Sequence, residues 1–298
     1  MNNWSPRRSA LYVPGINARA IEKARTLACD ALIFDWEDSV APTMKSRARE
    51  IVGTALDTGT FLAKEKVIRI NGLGTPDFEV DLQAALVCEP DAILLPKVST
   101  AHDLLRFAYK MRASTAGDTT PLWIMVETAA AISNLPAILQ AVPATGLKLD
   151  CLVLGTNDLA KETGVSTGNG RRYFIPWLMS VILVAKMNKV TVLDGVWNDF
   201  GDTDGFHEEA RQSREMGFDG KTLIHPLQVD PANAVFTPGE EAIADARRII
   251  RAFERPESAA AGVIDLDGRM VERLHLEQAQ HLVARVEATL PQVGRSTD

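Results

Sequence analysis

The chain has 298 residues, 46% of them hydrophobic and 24% charged, an ordinary globular composition with length enough to bury a large core without staples. A formal net charge of −7 leaves no basic excess to neutralise phosphates, which excludes free nucleic acid as a partner but not a small anion held in a local basic pocket. No run of about 18 apolar residues occurs, and the apolar part of MNNWSPRRSALYVPG is too short for a signal peptide, so no membrane partner and a cytoplasmic location are expected. The cysteines (Cys29, Cys88, Cys151) are odd in number and sit in or beside apolar runs, as buried free thiols in a reducing compartment would.

Along the chain, short apolar runs alternate with longer amphipathic ones. Strands are predicted at 9–13, 31–35, 66–70, 92–95, 122–126, 151–154, 190–193 and 221–224, each bounded by Gly, Pro, Asp or Asn. Helices are predicted at 18–28, 45–56, 78–87, 101–111, 129–140, 174–186 and 205–216. This alternation argues for an α/β fold with a parallel sheet, and eight strands point to a closed (β/α)8 TIM barrel. VPGIN after the first strand is not the GxGxxG of a dinucleotide-binding sheet. The last 60 residues differ. A helix at 240–252 is placed to close the barrel. A small-residue linker follows at 255–262, then a hairpin around Asp267-Gly268 and a helix at 274–290. The barrel is therefore assigned to residues 1–254 and a C-terminal extension to 255–298. A hairpin and one helix are too small to stand alone, so the extension must pack on the barrel or on a neighbouring chain.

A barrel places chemistry at the C-terminal ends of its strands, and nearly every end here carries a polar or charged group. Glu127 and Asp158 end the fifth and sixth strands, which are neighbours. Two converging carboxylates with open positions suit Mg2+, with Mn2+ as a substitute; each could instead cap the helix that follows. Asp35, Glu37 and Asp38 crowd the end of the second strand and need a cation, a metal or protons to offset them; Lys45, Arg47 and Arg49 of the next helix are alternative partners. Arg69, inside a strand, either forks a substrate carboxylate or bridges to Glu37 or Asp38. Arg19 and Lys23, spaced i,i+4, form with Arg7 and Arg8 either a phosphate-binding patch near the mouth or a solvated face. Lys97 admits a Schiff-base role and a structural one; His225 admits acid–base work and helix capping.

These residues lie within segments that resemble the citrate lyase β-subunit-like family of CoA-ester lyases, part of the HpcH/HpaI aldolase/citrate lyase superfamily. The matching segments are RRSALYVPG, ALIFDWEDSVAPTMKSRAR, VIRIN, AILLPKV, MVETA, LVLGTNDLAKETG, GFDGKTLIHPLQV, VFTPGEE and VIDLDGRMVE, in order over nearly the whole chain. The resemblance implies a barrel assembled as a homotrimer or homohexamer. It implies Mg2+ on Glu127 and Asp158, Arg69 on the oxygens of a small 2-oxo-acid, and Tyr12, Arg19 and Lys23 on a CoA thioester. Glu37 and Asp38 are counted with Arg69 as catalytic. A carboxylate from a neighbour's C-terminal segment, matched by Glu272, closes the site; relatives carry Asp there. Lys97 becomes structural, because the family uses metal chemistry and no Schiff base. The implied reaction is reversible Claisen-type C–C cleavage of a malyl-, β-methylmalyl- or citramalyl-type CoA ester. Its alternatives are a citrate lyase β-subunit acting on an acyl-carrier-protein thioester and a malyl-CoA thioesterase. A free 4-hydroxy-2-oxo-acid aldolase would want an early histidine, and none precedes residue 100; a CoA-binding barrel without chemistry would not need Glu127, Asp158 and Arg69 together. Segment 168–177 (GNGRRYFIPW) and Asn188-Lys189 depart from the family pattern, which leaves substrate choice open.

Overall fold

The computed structural model describes residues 6–113, 120–256, 258 and 261–289. Their contacts separate two compact units, one of Arg7–Phe236 and one holding the chain from Thr237 onward.

The first unit is a closed barrel of eight parallel strands in sequence order. The strands are β1 (Ser9–Pro14), β2 (Ala31–Asp35), β3 (Glu65–Arg69), β4 (Ala92–Leu95), β5 (Leu122–Val126), β6 (Leu149–Leu154), β7 (Thr191–Asp194) and β8 (Gly220–Leu223). The helices that follow them are α1 (Ala18–Ala24), α2 (Lys45–Thr58), α3 (Phe78–Val87), α4 (Ala101–Arg112), α5 (Ala129–Thr145), α6 (Thr156–Thr163), α7 (Ile175–Met187), α8 (Thr203–Met216) and α9 (Val229–Phe236). Pairing of β1 with β8 closes the ring.

Strand alternation sorts side chains into two cores. Leu32, Phe34, Ile68, Ile93, Ile124 and Leu152 pack outward against the helices. Ala10, Ile33, Val67, Met125 and Val153 belong to a separate cluster inside the barrel. A period of two carries that parity on to the strand ends. Tyr12 follows Ala10, Asp35 follows Ile33, Arg69 follows Val67, Glu127 follows Met125 and Gly155 follows Val153. The groups that can do chemistry therefore point into the barrel mouth for the same reason that the apolar residues below them fill its interior.

The opposite end is closed by Arg7. It is buried, bonds Glu65 through Nε at 2.7 Å and Asp150 through Nη2 at 2.6 Å, and lies over the Trp123 ring at 4.8 Å. Arg8 pairs with Asp30 at 2.8 Å. Both arginines precede β1, so they cannot join Arg19 and Lys23 in a patch at the mouth, and that expectation is corrected.

Two helices escape the sequence pattern, α6 and α9, and α5 runs through Pro136 and Pro143 to a left-handed Gly146 at φ 70° rather than ending near residue 140. Cys29 and Cys151 are buried and Cys88 is half-buried; all three are free.

The second unit holds α10 (Glu240–Glu254), the antiparallel hairpin of β9 (Val263–Leu266) and β10 (Arg269–Glu272), and α11 (Arg273–Thr289), with α10 packed on α11. Asp267 and Gly268 turn the hairpin with φ of 55° and 76°. Residues 257, 259 and 260 of the predicted linker and residue 290 of the predicted last helix lie outside the described residues. Among the described residues no helix is long and apolar enough to cross a membrane.

Candidate active site

A cavity of about 420 Å³ opens at the C-terminal ends of the strands, lined by Tyr12, Asp35, Arg69, Met125, Asp158 and Thr222 among others. Asp35 and Arg69 are opposite each other in the β2–β3 register. Arg69 donates Nε to Asp35 Oδ1 and Nη2 to Asp35 Oδ2, each at 2.7 Å, a bidentate fork with both side chains buried. Asp35 also accepts the backbone N–H of Glu37 at 2.8 Å and of Ser39 at 3.0 Å. Burial works against its charge, but Arg69 and these donors outweigh burial and hold the carboxyl below the usual range. The sequence points to Glu37 or Asp38 as the partner of Arg69, and both bridges form. The two-pronged fork goes to Asp35, which stands opposite Arg69 in the register. Glu37 and Asp38 meet the remaining Nη1 at 3.0 Å and 3.8 Å. Tyr12 lies against the guanidinium, which stands 4.9 Å from its ring centroid. Burial pushes the Tyr12 hydroxyl well up, with Arg69 opposing, so the phenol is neutral.

Glu37 is buried, and its Oε2 lacks a hydrogen-bond donor despite the nearby guanidinium. With Arg69 committed to Asp35, burial dominates and pushes Glu37 up to about 8, helped by Glu127 and Asp38. Lys45 does not neutralise this cluster. Its ammonium donates to the carbonyls of Trp36 at 3.0 Å and Glu37 at 2.9 Å, fixing the loop that presents Glu37. Arg47 pairs with Glu50, and Arg49 with Asp77 and Asp81, so the alternative pairing predicted for this helix is not formed. The raised pKa has a consequence for stability. Between pH 4.5, the ordinary value, and about 8, the folded chain keeps a proton that the unfolded chain releases, so stability falls as pH rises through that window. Glu37→Gln should remove that part of the slope. In EDTA at pH 8 it should stabilise the protein by roughly 1–3 kcal/mol while lowering activity, as thermal midpoints at pH 6 and 8 would check.

Glu127 and Asp158 stand at the ends of β5 and β6, with Lys97 between them. Glu127 is buried; its Oε1 accepts the Lys97 backbone N–H at 2.7 Å, and its Oε2 has no hydrogen-bond donor. The Lys97 ammonium lies 3.1 Å from Asp158 Oδ2, 3.5 Å from Glu127 Oε2 and 3.9 Å from Glu37 Oε1. Burial pushes Glu127 up to about 7 against the pull of Lys97. The more exposed Asp158 sits below its usual range: burial opposes its charge, but the neighbouring Glu127 carboxyl and the Lys97 ammonium favour it. The proton of the pair thus stays on the buried member. Lys97 itself is held protonated, since the carboxylates outweigh burial, which is the wrong direction for a Schiff-base amine.

No group of three or more His, Cys, Asp or Glu among the described residues forms a metal cage. The donor set still fits Mg2+, which takes one or two carboxylates, keeps waters and accepts substrate oxygens. The buried Glu127 Oε2, lacking a hydrogen-bond partner and sharing the Lys97 ammonium with Asp158, is the observation that supports the fit. Gly155 is part of the same construction. A Cβ there would lie 2.3 Å from Glu127 Cβ and 2.9 Å from its Oε2. Gly155→Ala should therefore displace Glu127, cost roughly 1–3 kcal/mol by overpacking, and weaken Mg2+ binding measured by calorimetry.

Arg19 and Lys23 lie exposed on α1, whose N-terminus is capped by Asn17 just beyond β1. His225 accepts the Leu227 N–H at its Nδ1 and stacks on Phe200 at 4.6 Å, a capping role. Glu272 ends β10 in the second unit, where its N–H is accepted by His275 Nδ1 at 2.9 Å. Sequence reasoning missed a buried network beneath the rim. Lys221 Nζ donates to Asp194 at 2.7 Å, Glu209 at 2.8 Å and the Gly195 carbonyl at 2.6 Å. Arg171, buried at a left-handed φ of 56°, bonds the same Asp194 through Nη1 at 2.8 and 2.9 Å. This network anchors the divergent segment 168–177 through Arg171, and Thr222, donating to the Asp194 carbonyl at 2.9 Å, lines the cavity wall. A charged residue inside an apolar strand, Lys221, was the available signal.

Residues 8–226 match the family model described as HpcH/HpaI aldolase/citrate lyase. A (3S)-malyl-CoA thioesterase of Cereibacter sphaeroides is 44% identical over 283 residues, covering 95% of each chain. An L-malyl-CoA/beta-methylmalyl-CoA lyase of the same species is 33% identical over 306 residues, again covering 95% of each. Among solved structures, CitE of Mycobacterium tuberculosis in complex with magnesium, acetoacetate and coenzyme A aligns with a TM-score of 0.73 and 26% identity, over 96% of this chain and 100% of that one.

Proposed function

The chain belongs to the HpcH/HpaI aldolase/citrate lyase family of enzymes, and on that premise we propose that it acts on a malyl-type 3-hydroxyacyl-CoA and hydrolyses the thioester to free CoA and the hydroxy acid. One observation carries hydrolysis ahead of C–C cleavage: the 44% identity to the thioesterase, against 33% to the lyase, each across 95% of both chains. That reverses the order expected from sequence, in which cleavage comes first.

Glu127 and Asp158 would hold Mg2+, which when bound supplies Lewis-acid polarisation of substrate oxygens. Arg69 offers Nη1 to the substrate carboxylate, with its plane fixed by the Asp35 fork and the Tyr12 ring. Fixing the guanidinium in advance avoids ordering it at the moment of reaction. Glu37, pushed up to about 8, takes or gives a proton near neutral pH and is the acid–base group of the site. Asp38 sits at the rim. Arg19 and Lys23 would meet the phosphates of CoA on the exposed face of α1. Glu272 would complete the site from a neighbouring protomer of a trimer or hexamer, with segment 255–298 packed on that neighbour.

Reversible C–C cleavage is the second reading, supported by the lyase relative and by the similarity to CitE in its complex with magnesium, acetoacetate and coenzyme A. Incubating purified protein with Mg2+ and (3S)-malyl-CoA, followed by mass spectrometry, separates the two. Free CoA and malate, lost in EDTA, are the expected products. Acetyl-CoA and glyoxylate would establish the second reading in place of the first, and no turnover would overturn both.

A further inference from the structure

Lys97 is the residue at the centre of the site to which neither reaction gives a task. Its backbone has φ of 58°, a left-handed conformation that non-glycine residues adopt rarely. That turn does two things at once. It aims the Lys97 N–H at Glu127 Oε1 at 2.7 Å, which ties one oxygen of the carboxylate and leaves the other without a hydrogen-bond partner. It also sends the side chain into the acidic cluster, where the ammonium lies within 3.9 Å of three carboxylates contributed by three different strand ends. Glu37, Glu127 and Asp158 share no other cation among the described residues except Arg69, whose Nη1 reaches Glu37.

We propose that Lys97 is a positioning residue that sets the affinity of the Glu127–Asp158 pair for a divalent cation. Its amide orients Glu127 as a one-oxygen ligand, and its ammonium competes with the cation for Glu127 Oε2 and Asp158 Oδ2. The inference rests on the Mg2+ site described above. It goes beyond it by assigning a residue that opposes metal binding while holding the ligands in place. An ammonium at 3.1 to 3.5 Å from those oxygens and a cation bound to the same oxygens repel strongly, so the side chain must swing out when the cation enters. Its place on the cluster keeps the carboxylates together in the absence of the cation. The cost is weaker binding, which keeps the ion exchangeable.

The test is a calorimetric Mg2+ titration at pH 8 of wild type, Lys97→Met and Lys97→Gly. Methionine keeps an unbranched stem and removes the charge. Glycine keeps the N–H and tolerates the left-handed turn, so it remains informative if the methionine variant folds poorly. Both variants should bind Mg2+ at least tenfold more tightly than wild type. In EDTA both should melt at a lower temperature, and Mg2+ should raise their midpoints by more than it raises that of wild type. A purely structural lysine would give weaker binding when removed, so equal or weaker affinity in both variants overturns the proposal. Wild-type protein that binds no Mg2+ would overturn the metal site itself.

Discussion

Arg69→Met is expected to lower the rate by about 10³-fold and to cost roughly 3–5 kcal/mol of folding stability. The stability loss follows from what remains. Asp35 is 1% exposed and Glu37 7% exposed, and Asp35 would keep its two backbone donors but lose both bonds of the fork. An ionised carboxylate left in that position must be rehydrated or protonated, and burial makes either costly. The activity loss has a separate cause. Nη1 is the only Arg69 nitrogen not spent on Asp35, and no other guanidinium lines the cavity among the described residues. Loss of one preorganised donor at a charge-bearing position costs on the order of 10³-fold in rate. Arg69→Lys separates the two effects: it restores a charge near Asp35, and so part of the stability, but cannot rebuild the two-pronged geometry, and activity should stay low. Chemical denaturation and kcat/KM on malyl-CoA are the measurements. A methionine variant with near-native stability and rate would contradict the assignment.

Glu127→Gln is expected to lower the rate by roughly 10³-fold without lowering stability. The amide oxygen can still accept the Lys97 N–H, so the local fold survives. The charge that would hold the cation disappears. Because burial pushes Glu127 up to about 7, ionising it at pH 8 works against folding, and a neutral glutamine removes that penalty. Its thermal midpoint in EDTA at pH 8 should be no lower than that of wild type, while Mg2+ should no longer raise it. Activity lost while stability is kept is the signature of a residue kept for chemistry. A variant that loses both would mark Glu127 as structural.

The barrel was legible because its strands are short, apolar and bounded by turn residues, and because polar groups gather at one end of each. The two helices that were missed show where that legibility stops. α6 begins immediately after β6 with Gly155 at its N-cap and carries Asp158 in its first turn, so its opening residues read as a polar strand end. The bracketing Gly164, left-handed at φ 71°, was the signal that a helix ended there. α9 follows a turn containing Pro226 and has Pro231 in its first turn, which broke the helical pattern. Within the site, the need for Arg69 to be paired was legible from its place in a strand. The choice of Asp35 over Glu37 was not, because it depends on which residues of β2 and β3 stand opposite one another. Lys97 was visible as a strand-end lysine, but its left-handed backbone cannot be read from a lysine in sequence, and that turn is what puts the ammonium among three carboxylates. The Arg171–Asp194–Lys221 network joins residues 23 and 27 positions apart in the chain, and only barrel closure brings them together.

The proposed chemistry depends most on a divalent cation at the strand ends of β5 and β6. A crystal soaked in Mn2+, which accepts the same oxygen donors as Mg2+, locates that ion directly from its anomalous scattering. The predicted result is a single strong peak at roughly 2.1–2.3 Å from one oxygen of Glu127 and one of Asp158, with the Lys97 side chain moved away from both. A peak elsewhere, or none at saturating Mn2+ with Lys97 still between the two carboxylates, would contradict the metal site and with it the proposed chemistry.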